Sequence, residues 1–310
     1  MPPSLLGPLA GALDTPLAPL RTRLAHALRS RVAGDDADTE ASRIWGAVGP
    51  RWFGPQDAIW RVHADASMFV GGIRALLLQS LHPLAMAGVA GHSGYKSDPW
   101  GRLQRTSNFL ATTTFSTTQN AEAAIARVRS IHERVRGKAP DGRSYQASDP
   151  HLLAWVHAAE ADSFLSTFQA YGPGRLTSAE CEEYIAQSAI TARALGVLDP
   201  PTTMAQLAHA LQAFRPQLEA TPAAREAARF LLYEPPLPLA ARPGYAMLAA
   251  GAVTDLPVWA RHMLDLRLPG PLDAAAGPLI GRPLGTVSAG LVRWALSDPK
   301  IANDRRARLA

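Results

Sequence analysis

A chain of 310 residues with 47% hydrophobic and 18% charged residues can bury a sizeable core, which excludes wholesale disorder. Its formal charge of +5 rests mainly on dispersed arginines, with lysine only at Lys96, Lys138 and Lys300, so no nucleic-acid partner is expected. The single cysteine, Cys181, excludes an intramolecular disulfide and any cysteine-cluster metal site.

Abundant alanine and leucine, without long β-branched runs, favour helix throughout. Residues 1–20, rich in Pro, Leu and Ala, read as a loosely attached arm, followed by a short amphipathic helix over Leu20–Val32 and an acidic loop, Gly34–Asp38. Trp45 and Trp52 lie in the next segment. Pro55-Gln-Asp57 opens a predicted long helix that runs to about Leu81 and stops at Pro83, where proline removes a donor. A helical stretch, Leu84–Gly91, passes into the loop Gly91–Pro99. The most apolar span, Met68–Ala90, contains Arg74, Gln79, His82 and Pro83 and is not read as membrane-spanning. The first residues lack the basic and unbroken apolar parts of a secretory signal, so a soluble, cytoplasmic chain is expected, with room for peripheral membrane contact.

A helix over Trp100–Thr113 places Arg102, Arg105 and Thr106 on one face. Such a face is ordinarily solvated; turned inward, it would bind anions and donate protons. The next helix carries Ile125, Val128, Ile131, His132 and Val135 as an apolar stripe. Thr118 or Asn120 caps its start, and Gly137 is expected to end it in the left-handed conformation. His132 is thereby predicted to face the core, with Glu133 and Arg134 outside and Arg136 one turn further on. A buried imidazole needs a partner, which can be a metal or an ordinary core hydrogen bond.

Asp149-Pro150 starts a strong helix through Trp155, His157 and Phe164 to about Tyr171, broken by Gly172-Pro-Gly174. Ser178 is expected to cap the helix Ala179–Leu195, which Gly196 ends. Cys181 is crowded there by Glu180, Glu182 and Glu183, which disfavours a thiolate nucleophile. Two or three helices fit Met204–Leu232; further helices fit Ala246–Leu266 and Leu279–Leu296, before a basic tail. No convincing strand pattern, repeat or linker is present. The reading is one all-α domain, with residues 1–40 as arm and short helix, 41–270 as core, and 271–310 as last helix and tail.

Dinucleotide, P-loop, His-Glu-x-x-His and Gly-x-Ser-x-Gly patterns are all missing. What remains is a group of polar residues in apolar helical context: His82, His92, Arg102, Arg105, Thr106, His132, Arg136 and His157.

The run Gly71-Gly-Ile-Arg through His92-Ser resembles the signature of the helical MpaB-type and latex-clearing rubber oxygenases. Asp98-Pro-x-Gly-Arg-Leu-x-Arg-Thr106, Val128-Arg-x-Ile-His132, Tyr145-x-Ala-x-Asp-Pro150, Leu153-x-Trp-Val-His157, Leu195-Gly-Val and Leu256-Pro-x-Trp-Ala-Arg261 follow in the same order. The likeness covers about residues 45–270. It implies a globin-like helical core, haem b and an oxygenase acting with dioxygen on a hydrophobic small molecule. The proximal iron ligand then falls on His132, with Arg136 and His157 as further cofactor-binding residues. The distal group falls on Arg102, Arg105 and Thr106 as catalytic residues. Arg105 stands where the rubber oxygenases have lysine, and a guanidinium is a poor metal ligand. No carboxylate lies between Ile73 and Ser97, where rubber cleavage would need its glutamate, which points to the MpaB-like branch. The alternatives are a haem-binding sensor without turnover and a metal-free lipid-binding scaffold.

Overall fold

The computed structural model describes residues 7–34, 36–92, 94, 96–267 and 277–297. They form a nearly all-α fold with one tiny two-stranded sheet. Helix α1 (Gly7–Ala33) is longer than the sequence reading: the Ala- and Leu-rich stretch expected as an arm is helical from Gly7, despite Pro16 and Pro19. It leads into α2 (Ala37–Trp45).

The long helix expected from Pro55 is two helices, α3 (Ala58–His63) and α4 (Ser67–Gln79). The break has a clear cause. Asp65 turns its carboxylate back to accept from the Ser67 amide at 2.8 Å, which restarts the helix, and it accepts two bonds from Arg293 at 2.8 and 2.9 Å. Burial works against the Asp65 charge, but these bonds hold its pKa below the usual carboxylate value. Arg293 belongs to the last described helix, α14 (Arg282–Leu296), so this ion pair ties that helix to the α3–α4 break.

After Pro83, α5 (Pro83–His92) runs at 110° to α4; among the described residues no single helix is long and apolar enough to cross a membrane. Helices α6 (Pro99–Phe115) and α7 (Thr118–Arg134) form an antiparallel hairpin across the turn Ser116–Thr117, with Thr117 capping α7 through the Asn120 amide. The chain then departs from the sequence reading. Gly137 does not end α7: the helix stops at Arg134, and Arg136–Lys138 (β1) pairs antiparallel with Ser144–Gln146 (β2). Three-residue strands are too short to show alternation. Gly137 is used for close approach, since a Cβ there would lie 2.7 Å from the Tyr145 hydroxyl.

Asp149 caps α8 (Pro150–Tyr171) by accepting from the His151 amide. Thr177, rather than Ser178, caps α9 (Ser178–Leu195) in a reciprocal box with Glu180, and Gly196 ends it at φ 114°. The remainder comprises α10 (Met204–Phe214), α11 (Pro222–Tyr233), α12 (Arg242–Asp255), α13 (Val258–Met263) and α14.

Two apolar clusters form the core. One gathers Trp45, Trp60, Phe115, Phe164 and Tyr184 from α2, α3, α6, α8 and α9, with Trp45 stacked on Phe115 at 4.4 Å. The other joins α4, α8 and α12 around Leu77, Leu78, Trp155 and Leu248. α4 and α8 are antiparallel: Trp155 Nε1 donates to the Gln79 carbonyl at 3.3 Å, Arg74 meets Asp162 and Ser163, and Gly71 faces Phe164 and Thr167. A Cβ at Gly71 would fall 2.7 Å from Thr167 Oγ1, so glycine sets the helix–helix distance.

Candidate functional site

Helix α8 commits two faces to packing. Trp155, Ser163 and Thr167 turn towards α4, while Ala161, Leu165 and Phe168 join the cluster that includes α9. At 100° per residue, His157, Glu160 and Phe164 fall between those faces. His157 and Glu160 are both half-buried. The Nε2 of His157 is buried without a hydrogen-bond partner, and burial lowers the imidazole pKa to about 4. Glu160 makes no hydrogen bond or ion pair, and burial raises its carboxyl to about 7. On this strip burial therefore disfavours the charged forms of both groups.

The neighbouring strip of α4 is apolar. The antiparallel register sets Leu76 near the level of Glu160 and Gly72 near that of Phe164. Gly72 is half-buried, yet a Cβ added there would meet nothing within 4 Å. The two glycines of the Gly71-Gly72 pair thus do different things: the first brings helices together, the second leaves room.

The sequence reading missed a polar chain nearby. His63 of α3 shares a hydrogen bond through Nδ1 with Thr114 Oγ1 at 2.8 Å and, through Nε2, with the Tyr184 hydroxyl at 3.4 Å. Burial lowers the His63 pKa to about 3, so the ring is neutral. Burial also pushes Tyr184 well above its ordinary value, reinforced by the charges of Glu160 and Asp162. The visible signal was the helical spacing of Ile59, Trp60 and His63, which puts the imidazole beside core aromatics.

The α6–α7 hairpin carries the motif residues. α6 rests on α1 through Trp100, under Arg31 at 4.6 Å, and through Gln104, which donates to the Ser30 carbonyl. Arg102 and Thr106 therefore lie on the opposite side of α6; Arg102 is half-buried and Thr106 exposed. The antiparallel hairpin sets both near the level of Val128–His132. Arg105 is turned elsewhere: it is exposed and donates to Asp98, the α6 cap, at 3.1 Å. Asp98 also accepts from the Gly101 amide, and these two bonds lower its pKa.

His132 lies in the last turn of α7, half-buried, with Nδ1 buried and unpartnered; burial lowers its pKa, favouring the neutral ring. Glu133 and Arg134 are exposed, as expected, but Ile131 is also 42% exposed and leaves the stripe. Arg136 is not one helical turn on. Because α7 has ended, it sits exposed on β1. His82 is buried against Trp155 and Phe214, while His92 is exposed at the end of α5 and pairs with the Tyr145 hydroxyl. Cys181 is buried; desolvation, then Glu180 and Glu182, raise its pKa despite a bond from Gln169 at 3.1 Å. Among the described residues, no three His, Cys, Asp or Glu side chains form a metal-holding group.

Glu160 yields a pH prediction. Its folded pKa of about 7 lies above an ordinary value of 4.5, so the native chain binds this proton more tightly than the unfolded chain. That contribution is fully present below 4.5 and lost as pH rises through 7. Glu160→Gln should match the parent near pH 4.5 and gain up to about 3 kcal/mol at pH 8. Urea unfolding at both pH values checks this; equal differences at both would show that Glu160 is solvated. His63 and His157, depressed instead, favour stability above 6.5 and oppose it as pH falls, but they are common to both proteins and cancel.

A family model described as "ER-bound oxygenase mpaB/B'/Rubber oxygenase, catalytic domain" matches residues 60–294 of the chain. Comparison with curated proteins and with solved structures gives no significant match.

Proposed function

Because this chain belongs to the family of mpaB-type and rubber oxygenase catalytic domains, we propose that it is a haem-dependent oxygenase acting on a hydrophobic small molecule. Among the three buried imidazole nitrogens without partners in the described residues, those of His132 and His157 carry that reading, together with the room left at Gly72. A porphyrin-held iron needs a single protein imidazole, so the lack of a larger ligand cluster is no obstacle. Bound haem b would supply dioxygen binding and activation.

The chain supplies the rest. His132 offers a neutral imidazole from the end of α7, and a ring flip can exchange which of its nitrogens faces inward. His157 provides a second neutral nitrogen from α8. Arg102 and Arg136 are the guanidinium groups suited to the cofactor's carboxylates. Thr106 brings a hydroxyl on the same face of α6 as Arg102. Arg105 is held by Asp98, and a guanidinium is a poor metal ligand, so its part is electrostatic. Phe164, Leu76 and Gly72 present the apolar wall against which a hydrophobic substrate lies.

Purified chain titrated with haem should give a saturable Soret band at one haem per chain. It should consume dioxygen with some small unsaturated lipid or terpenoid, and yield no carbonyl-ended oligomers from polyisoprene latex. No Soret band at any ratio would favour the metal-free lipid-binding scaffold. A Soret band without turnover on any substrate would favour a haem sensor.

A further inference from the structure

Several polar groups around the α4–α8 junction pair with one another. Arg74 takes up Asp162, Asp255 and Ser163; Ser166 donates to Asp255 at 2.6 Å; His63 takes up Thr114 and Tyr184. Among the described residues Ser67 Oγ and His82 Nε2 also lack a partner, but on α8 one strip joins two such groups a turn apart: the buried His157 Nε2, and the half-buried Glu160, which makes no hydrogen bond or ion pair. Leaving a buried nitrogen unmatched costs free energy, and an unpartnered carboxyl one turn away beside an apolar wall marks with it a place where a ligand completes the bonding. We propose that Glu160, with His157, is the head-group end of the substrate pocket, and that the substrate is a neutral amphiphile: an apolar chain ending in a hydroxyl or carbonyl.

The head group follows from the chemistry of the pair. A neutral carboxyl both donates and accepts, which matches an alcohol and also serves a carbonyl. The imidazole supplies one further donor or acceptor, according to its tautomer. An anionic head would meet an acidic group and a neutral ring without a cation of its own. A cationic head would have to lose its water to face one carboxylate, a costly exchange beside Leu76, Gly72 and Phe164. A pure hydrocarbon leaves both groups unmatched. The inference rests on the oxygenase reading of the pocket, and it defines the substrate class of that same site.

The test is a matched ligand series on the full chain, as purified and after haem loading. 1-Dodecanol, dodecane, dodecylamine and dodecanoate would be compared by displacement of a fluorescent apolar probe. Dodecanol is expected to bind at least tenfold tighter than the other three. Glu160→Leu should lose that preference while binding dodecane as the parent does, and Glu160→Gln, which still donates and accepts, should keep most of it. Equal affinity for dodecane and dodecanol, or a preference for the amine or the acid, overturns the proposal without needing any variant. An alcohol preference that survives in Glu160→Leu also overturns it. Haem titration of parent and Glu160→Leu keeps the two readings apart. Stoichiometric haem without an alcohol preference sinks the head-group site alone, whereas the preference without haem sinks the haem assignment alone.

Discussion

Replacing His132 with alanine is expected to abolish stoichiometric haem binding while the helical fold stands. The imidazole is half-buried in the last turn of α7, and its Nδ1 makes no bond within the protein. Its removal breaks no internal hydrogen bond, so the loss of stability should stay within about 1–2 kcal/mol, the range of a modest truncation. Helical circular dichroism and the urea midpoint would report the fold, and the Soret band with the haem-to-protein ratio would report the cofactor. A variant that purifies with full haem and an unchanged Soret band would refute the ligand assignment. His157→Ala is then the next variant to make, since its Nε2 is, like that of His82, a further buried imidazole nitrogen without a partner.

The contrast between His132 and the arginines shows what a sequence can and cannot disclose. The partial burial of His132 was legible from helical periodicity, although Ile131 of the same stripe is exposed. Arg105 was not, because its direction depends on Asp98, whose carboxylate caps α6 and holds the guanidinium outside. Arg136 was misplaced for a similar reason. The end of α7 is set by the β1–β2 pairing and by Tyr145 pressing on Gly137, a contact that local propensity does not encode.

The same division runs through the fold. α8 announces itself through Asp149-Pro150, a local signal that the structure uses directly, whereas α9 is capped by the Thr177-x-x-Glu180 box, one residue before the cap expected at Ser178. The break between α3 and α4 escaped notice because the residue that stabilises it, Arg293, lies 228 positions away. His63 and Tyr184, 121 positions apart, are invisible as a pair for the same reason. Glu160 could be seen as an acid in an apolar helix, but its lack of a partner is a fact of packing only.

Arg74→Ala should be the most damaging single change in the molecule. Arg74 is 2% exposed at the meeting point of α4, α8 and α12. It pairs with Asp162 at 2.7 Å and Asp255 at 3.2 Å, and donates to Ser163 Oγ at 2.7 Å and the Asp255 carbonyl at 2.9 Å. Burial pushes the Asp255 pKa up, and the Arg74 charge is the main force holding it down. Without the guanidinium, two poorly solvated carboxylates lose their counter-ion, which costs about 3–5 kcal/mol. That is a large part of the roughly 5–15 kcal/mol that holds a domain folded. Lysine should recover only part of the loss, because one ammonium cannot reach the separate acceptors that the planar fork spans. The pH dependence gives the mechanism away. In the alanine variant the folded pKa of Asp255 rises further above its ordinary 3.8, so its penalty is absent at acid pH and grows as pH climbs. Urea unfolding should therefore show the variant closest to the parent near pH 4.5 and furthest from it at pH 8. A difference below about 1 kcal/mol at pH 8, the size of an ordinary surface substitution or little more, would mean that water or a neighbouring group already shields these carboxylates. Haem loss in this variant would follow the loss of α8 itself, whereas in His132→Ala it should occur with α8 in place.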